Sequence, residues 1–496
     1  MKKIKDLLKY EYLWGYAAAV LCGCIFVLIS ASWTSPLFTF EYGYDSSWYI
    51  FMGRAIREGF VPYRDFFDLK GPVFFFIEAI GQIIKTGRTG IFVLELFASA
   101  VSSVAVIKIC RLYLSWKKSF VILFLYYLAY VSLLWGGNTC EEMLLPFSLI
   151  SLYLTLKYLK NGEPEKGYDL TAAFLGVSFA VMLLSKPTLA SMVVSCILVL
   201  ITDLITKKRY DIILRASLYF LAGALLIILP VCAYFLFNKA FGEFIYSAFI
   251  FAFKRSTDYY EKFSVEWEAN LCFCYVGFIT ALISERYDDE KDGRRLLLLI
   301  SSIVTYLALH LGTPYTYYFI TELPVWVLTL VQTGVMVRGV LEKGEKRRFY
   351  TFLLIFALEL FVCYRSGRPA GDKLIENLNF VRNPDSTYYD GCIEAFEEIP
   401  FYERDDVYNL ESGMIYYDIT GEIPQNKYSV NLPYFMALDP DIKKNVLDYL
   451  DVKKPKWIIS EHMQDFDDED TREYVFGHYI LYLQTDALEI YRRVEY

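Results

Sequence analysis

The sequence predicts an α-helical polytopic membrane protein that carries a small extracytoplasmic α/β domain at its C-terminal end. Of its 496 residues, 55% are hydrophobic and 18% are aromatic, and the mean hydropathy is +0.33. This composition is more apolar than that of a soluble domain, and its aromatic residues suit anchoring at bilayer interfaces. The apolar runs are long enough for about eleven spanning helices.

The predicted spans divide the chain into a transmembrane domain over residues 1–363 and an extracytoplasmic domain over residues 364–496. A large outer loop, residues 36–89, follows the first span. The basic N-terminus resembles a signal peptide, but its apolar run lacks a small-residue cleavage site, which predicts a retained helix. The spans lie at about 12–35, 90–110, 119–136, 143–159, 169–185, 188–206, 211–237, 269–284, 296–311, 316–338 and 349–363.

Basic loop residues predict the orientation. With the apolar run Val73 to Ile84 taken as too short to span, six basic clusters fall on one side, which is therefore the cytoplasm. The prediction is a multi-pass protein of the cell membrane with a cytoplasmic N-terminus. The loop 36–89, the turn near residue 140, the loop 238–268 and the C-terminal domain then all face outward. The clusters include Lys2/Lys3/Lys5, Arg111/Lys117/Lys118, Lys157/Lys160, Lys207/Lys208/Arg209, Arg294/Arg295 and Arg347/Arg348.

Composition excludes several classes of function. From Tyr364 onward there are 14 Lys and Arg against 27 Asp and Glu, an acidity that argues against a nucleic-acid partner. Three histidines without an HExxH motif disfavour a zinc protease, and the absence of a phosphate-binding glycine motif disfavours ATP-driven work. Short strands at Asp406–Leu410 and Trp457–Ser460, with a helix near Ile442–Leu450, predict the α/β character of the tail.

Asp45 is the first candidate for chemistry, because it lies in GYDSSWYI just after the first span. A carboxylate there can reach both water and lipid headgroups. It could act as a general base for an acceptor hydroxyl. Alternatively, it could cap the helix that follows it, since Asp is a favoured N-cap residue.

The motif PYRDFFDLKGP, from Pro62 to Pro72, places Arg64, Asp65, Asp68 and Lys70 among aromatic residues. Such a density of ions and rings suits binding of a charged, polar ligand near a membrane. In the competing interpretation, the aspartates only pair with the neighbouring cations, which is a common surface arrangement.

Two further residues are predicted on the outer side. Glu141, in GGNTCEEMLLP, begins a span, where negative charge is favourable in any case, but it could also share a substrate or a divalent metal ion with Asp45. Lys186, in SKPT, could simply extend toward the headgroups or could bind an anionic phosphate. A divalent metal ion is thus a possible cofactor, with Asp45 and Glu141 as candidate ligands.

Taken together, these motifs resemble those of bacterial GT-C glycosyltransferases, in the branch related to protein O-mannosyltransferases and lipid A aminoarabinose transferases. The resemblance implies a GT-C-like fold, a sugar donor linked to polyprenyl phosphate, and an acceptor on the outer side of the membrane. It puts Asp45 at the position of the family's first-loop catalytic carboxylate. Two departures stand out: Ser46 follows Asp45 where many relatives carry a second acid, and a motif that often reads HYF reads YYF from Tyr317.

The resulting hypothesis is an inverting glycosyltransferase that moves a monosaccharide, a hexose or a pentose, from polyprenyl phosphate to a cell-envelope glycan, lipid or protein. Asp45 would be catalytic, and the other outer residues named above would bind substrate. The first alternative is a polytopic transporter or lipid flippase that uses the outer carboxylates for ion or proton coupling. A second alternative is a membrane scaffold whose acidic tail binds partners.

Overall fold

A computed structural model describes residues 2–38, 42–161, 167–257, 265–286, 292–311, 315–343, 346–382, 388–411 and 414–494. Its helices in the membrane part are α1 Lys2–Ser30, α2 Tyr44–Arg57, α3 Pro72–Ile84, α4 Arg88–Arg111, α5 Trp116–Leu133, α6 Cys140–Asn161, α7 Gly167–Leu183, α8 Ser191–Thr206, α9 Tyr210–Phe237, α10 Phe241–Ile245, α11 Ala252–Thr257, α12 Val265–Asn270, α13 Cys272–Ile283, α14 Arg294–Leu309, α15 Leu323–Lys343 and α16 Lys346–Arg382. Short 3₁₀-helical segments include Pro187–Ala190 and Thr316–Glu322, and Tyr246–Phe251 is a π-helical segment.

Six of the described helical segments are long and apolar enough to cross a bilayer, and the protein is a multi-pass membrane protein. Each of them lies within or overlaps a predicted span. The remaining five predicted spans coincide with α5, α7, α13, α14 and part of α16, which are shorter or more highly charged. The six segments are Tyr12–Ser30, Arg88–Arg111, Cys140–Asn161, Pro187–Thr206, Tyr210–Phe237 and Thr316–Val337.

Helix α9 shows how the membrane unit is built. Its outer face exposes the side chains of Leu214, Leu218, Leu226 and Leu229, which acyl chains can cover without cost. On its inner face it meets α7 closely, because a Cβ at Gly223 would lie only 2.0 Å from the Ala173 carbonyl oxygen. Small residues are the usual means by which helices approach each other in membranes.

The C-terminal part is an α/β unit, as predicted. Its four strands form one sheet in the order β1, β2, β4, β3, in which β1 pairs parallel with β2 and the other pairs are antiparallel. The predicted strand at Trp457–Ser460 is β2, and the predicted helix lies within α20. The remaining elements are α17 Tyr388–Glu397, β1 Val407–Asn409, α18 Ile415–Thr420, α19 Leu432–Leu438, α20 Pro440–Lys453, β2 Trp457–Ser460, α21 Glu469–His478, β3 Tyr479–Gln484 and β4 Glu489–Arg493.

Helix α16 continues without a break from the membrane unit to Arg382, past the predicted boundary at residues 363 and 364. The division into two domains stays a prediction. Beyond α16, the chain returns to the loop that follows α2: the Phe67 amide donates to the Lys427 carbonyl at 2.9 Å. Arg54 of α2 donates to the carbonyls of Tyr417 and Glu422, each at 2.9 Å. The C-terminal part therefore covers the region that contains Asp45.

Candidate functional site

Asp45 lies in the first turn of α2 without capping it. The N-cap residue is Gly43, and no side chain accepts a hydrogen bond there, so the capping interpretation is wrong. The half-buried carboxylate of Asp45 instead accepts a hydrogen bond from the Tyr317 hydroxyl, with 3.0 Å between the oxygens. Tyr317 belongs to the helical turn that leads into α15. A tertiary contact thus orients this carboxylate.

A lysine stands beside the same tyrosines. The Lys186 ammonium forms an ion pair with Glu141, lies over the Tyr318 ring, and is 5.8 Å from the centroid of the Tyr317 ring. The Glu141 side chain is only 1% exposed, so its charge depends on this partner. Since Tyr317 contacts Asp45 through its hydroxyl and Lys186 lies near its ring, the structure brings a carboxylate and a cation together around one phenol.

The Pro62–Pro72 loop is fastened to the turn that contains Lys186. The Gly71 amide donates to the Ser185 carbonyl at 2.7 Å, and the Val73 amide donates to the Leu184 carbonyl at 3.0 Å. No side chain fits at this contact, because a Cβ on Gly71 would lie 2.1 Å from the Leu184 oxygen. The same loop directs the Lys70 ammonium over the ring of Tyr49, 4.6 Å from its centroid.

The other ions of that loop serve its shape. Asp68 is 4% exposed and accepts hydrogen bonds from the Trp48 indole and, at 2.6 Å, from the Lys70 amide. Arg64 binds both oxygens of Asp65 at 2.8 Å. Burial alone would raise the pKa of Asp65, but the hydrogen bonds from Arg64 and the Val61 amide outweigh it and lower that pKa. These contacts match the pairing interpretation for Arg64 and Asp65.

Tyr49 lies close to the carboxylates of Asp45, Asp68 and Glu141. Burial raises the pKa of its phenol, and the carboxylates of Asp45, Asp68 and Glu141 raise it further. Three carboxylates from α2, the loop after it and α6 therefore act on one side chain, although among the described residues the partner of Asp45 is Tyr317 and that of Glu141 is Lys186. Only Asp45 among them has a phenol as its described partner and no ion pair.

Sequence reasoning missed the tyrosines. In the YYF motif a tyrosine stands where many relatives carry a histidine, and the Tyr317 hydroxyl is itself a donor to Asp45. Trp135 stacks on Tyr317, with centroids 5.6 Å apart and planes 19° apart, and remains 47% exposed. A donor role for the first tyrosine could have been predicted from the motif, but its partner could not.

A glycine-rich turn contacts the start of α2 through Asn138. Asn138 follows Gly136 and Gly137, and its side-chain amide donates to the Ser46 hydroxyl at 3.0 Å. The Asn138 backbone amide donates to the buried Glu95 carboxyl at 2.5 Å. Ser46 is adjacent to Asp45, so Glu95 helps to position the candidate catalytic residue through this turn.

Asp418, from the C-terminal part, contacts α2 two residues beyond Asp45. The Ser47 hydroxyl donates to its carboxylate at 3.2 Å. Burial raises the pKa of Asp418 to about 6, although Arg88, Arg54 and the Ser47 hydrogen bond act in the opposite direction. Sequence reasoning assigned no role to this residue.

The predicted metal ligands do not form a metal site. Among the described residues, no group of three or more His, Cys, Asp and Glu side chains is arranged to hold a metal ion. Glu141 is already paired with Lys186, and Asp45 with Tyr317. The positive charge beside Glu141 is therefore an ammonium, and these two carboxylates do not fit a shared divalent ion in this arrangement.

A family model described as "Putative competence-induced protein Ccs4 N-terminal domain" matches residues 16–365. The chain belongs to this family. No curated protein matches the sequence at a significant level. The Ccs4 family match covers the helices and loops that build the site described above.

Solved structures identify the fold of this Ccs4 family chain as GT-C. It is similar to ArnT from Cupriavidus metallidurans bound to undecaprenyl phosphate, with a TM-score of 0.59, 11% identity and 98% of each chain covered. It is also similar to the archaeal oligosaccharyltransferase AglB from Archaeoglobus fulgidus, in complex with an inhibitory peptide and a dolichol-phosphate. That match has a TM-score of 0.51 and 14% identity, and covers 98% of this chain and 75% of AglB. The GT-C resemblance predicted from the motifs is confirmed.

Proposed function

We propose that this protein is an inverting glycosyltransferase that moves a hexose or pentose from a polyprenyl-phosphate carrier to a cell-envelope acceptor. The observation that carries the proposal is the arrangement around Tyr317: its hydroxyl is hydrogen-bonded to the Asp45 carboxylate, and the Lys186 ammonium lies 5.8 Å from the centroid of its ring. The GT-C fold supports the general class of reaction, since both solved relatives were determined with polyprenyl-type phosphates.

In the proposed reaction, the oxygen of an acceptor hydroxyl attacks the anomeric carbon of the donor sugar, and Asp45 accepts the proton of that hydroxyl. The bond between that carbon and the phosphate oxygen breaks, and the electron pair leaves with the lipid phosphate. Because this leaving group is already a stable anion near neutral pH, it needs no proton, only positive charge. Lys186 and Lys70 supply that charge. Attack from the face opposite the phosphate inverts the anomeric centre.

The neighbouring residues have supporting roles in this proposal. Tyr317 orients Asp45, and Glu141 holds Lys186 in place. Arg64, Asp65 and Asp68 fix the loop that carries Lys70, and they affect substrate binding through its shape.

The orientation belongs to the same proposal. The donor and acceptor meet on the extracytoplasmic face of the cell membrane, below the domain formed by residues 364–496, while the N-terminus is cytoplasmic. The charge distribution between loops supports this orientation. The acceptor is a glycan, lipid or protein of the envelope.

The test is transfer by the purified protein from a panel of radiolabelled polyprenyl-phosphate sugars, with an envelope extract as the source of acceptor. We expect label to move from one donor, and Asp45→Asn to lower that rate by 10² to 10⁴, the usual contribution of a general base. Asp372→Asn is the matched control, because Asp372 is 74% exposed on α16 and distant in sequence from the site. Wild-type turnover by Asp45→Asn would refute its assignment, and no transfer from any donor by folded protein would refute the function.

Buried carboxyl groups are the observation that favours the transporter alternative. Glu95 and Glu142 are both buried in apolar helices, where ionisable residues often mark ion pathways. The two carboxyl groups also contact each other, and their other described partners are neutral: Glu95 accepts from Thr34 and Asn138, and Glu142 accepts from Tyr130. Proton flux through liposomes that contain the protein would support transport, and Glu95→Gln should abolish such flux.

A further inference from the structure

A polar cavity lies at the opposite end of the helices from Asp45. Helix α4 begins at Arg88, whose guanidinium lies 4.6 Å from the ring centroid of Tyr42 just before α2. The helix is 24 residues long and ends at Arg111. At 1.5 Å per residue, its length is about 36 Å, the thickness of a bilayer core and part of its headgroups. A cavity of about 410 Å³ opens there, lined by the turn 111–115, Lys160 and Val335.

The charge around this cavity is positive. Arg111 and Lys160 line it, and within the described ranges of the chain their partners are backbone carbonyls and aromatic rings rather than carboxylates. A third cation, Arg294, is fully buried behind Tyr113, 4.2 Å from the centroid of its ring. Asp292 contacts Arg294 at 3.5 Å, so its negative charge offsets that of Arg294 and not those of Arg111 and Lys160. Two positive charges in the wall of the cavity are left to attract an anion.

Backbone carbonyls of the turn hold the side chains of Arg111 and Lys160 in place. The Arg111 Nη1 donates to the Leu114 carbonyl at 2.6 Å, and the Lys160 ammonium donates to the Leu112 carbonyl. The Nε of Arg111 is buried without a hydrogen-bond partner in the described structure, so this guanidinium is not fully satisfied by its surroundings. Trp116, 5.0 Å below the Arg111 guanidinium, further fixes that side chain at interface depth.

We propose that this cavity binds the phosphate of an anionic phospholipid from the leaflet at that face. A phosphate group offers several acceptor oxygens to Arg and Lys donors, and charge-assisted bonds of this type are the strong ones. Basic pockets between helix ends are suited to anionic headgroups, which are present at high concentration there, whereas free phosphate must enter from water. This site is separate from the outer site, and it does not depend on the glycosyltransferase proposal.

The experiment is native mass spectrometry of the full-length protein in detergent, with phosphatidylglycerol or phosphatidylcholine added at matched concentrations. We expect phosphatidylglycerol to be retained and phosphatidylcholine not. The double variant Arg111→Gln/Lys160→Gln should weaken phosphatidylglycerol binding at least about tenfold, since one charge-assisted bond contributes about that factor. Lys117→Gln/Lys118→Gln is the control, because it removes two exposed charges near the cavity without touching its wall.

Four results would overturn the proposal. Two concern the ligand: equal retention of both lipids, or retention of inorganic phosphate equal to that of phosphatidylglycerol. Two concern the variants: equal losses of phosphatidylglycerol binding in the two double variants, or unchanged binding in Arg111→Gln/Lys160→Gln. Equal retention of inorganic phosphate would identify free phosphate as the ligand. Arg111→Lys keeps the charge and tests folding, and it should retain most of the binding. Sugar transfer by each variant is measured in parallel and should equal that of the wild type, so a failure of the lipid site is distinguishable from a failure of the outer site.

Discussion

The Tyr317 hydroxyl donates a hydrogen bond to the Asp45 carboxylate, at 3.0 Å and across 272 residues of sequence. This bond fixes a carboxylate at the start of α2 relative to the turn before α15. Trp135 stacks on the same ring, so the phenol has little freedom to leave. The orientation of the candidate base therefore depends on two distant segments.

Removal of this donor should slow turnover without abolishing it. We expect Tyr317→Phe to lower kcat about 10- to 100-fold, since a hydrogen bond to a charged group contributes about 1.5 to 3 kcal/mol. The KM for the donor should change little if the phenol acts through Asp45. Steady-state kinetics with the purified variant measure both constants, and a rise in KM alone would assign Tyr317 to substrate binding instead.

The ion pair between Lys186 and Glu141 should stabilise the folded protein, and its lysine should also be required for sugar transfer. Lys186→Met leaves a carboxylate that is 1% exposed without its partner, so we expect it to destabilise the protein by about 3 to 5 kcal/mol. Glu141→Gln combined with Lys186→Met should recover most of that stability, because no buried charge remains.

Transfer should stay lost in that double variant if Lys186 stabilises the leaving phosphate. Thermal unfolding and transfer assays on the single and double variants separate the two roles. Recovery of transfer together with stability would show that Lys186 is structural only.

The contact between the outer loop and the Lys186 turn should not tolerate a side chain at Gly71. Gly71→Ala would put a Cβ 2.1 Å from the Leu184 oxygen, so the loop must move and the bond to Ser185 must lengthen. We expect a loss of about 1 to 3 kcal/mol in stability and a large loss of transfer, because Lys70 follows the loop. Gly371→Ala, on open helix surface, is the control and should be neutral.

Asp418 should make stability depend on pH. Burial raises its pKa from 3.8 to about 6, so between these values the folded protein holds a proton that the unfolded chain has released. Its contribution to stability is therefore complete below about pH 3.8 and is lost as the pH rises to about 6. Asp418→Asn should flatten the pH dependence of the unfolding midpoint over this range, whereas Asp451→Asn, on the exposed face of α20, should not. An unchanged slope in Asp418→Asn would contradict the prediction.

Much of the fold could be predicted from the sequence because hydrophobicity acts locally. A run such as Tyr210–Phe237 must form a helix in lipid, since every backbone polar group has to be satisfied within the segment. Strand β2 was likewise predicted from its apolar residues and coincides with the observed strand. The position of Asp45 beyond the first helix, and that of Lys186 between two others, followed from the same pattern.

The partners of these residues were decided by tertiary structure alone. Sequence reasoning offered capping or a general base for Asp45. For Glu141 it offered a favourable charge at a helix start or a shared substrate or metal ion, and for Lys186 phosphate binding or simple extension. It could not choose between these alternatives. The choice depends on which helix ends meet in space, and those ends are brought together by packing across hundreds of residues. The sequence by itself determined a helical membrane protein and predicted that these carboxylates and lysines face outward. Only the folded chain decided that Tyr317 orients Asp45 and that Glu141 holds Lys186, because hydrogen bonds and ion pairs between distant segments leave no periodic trace in the chain.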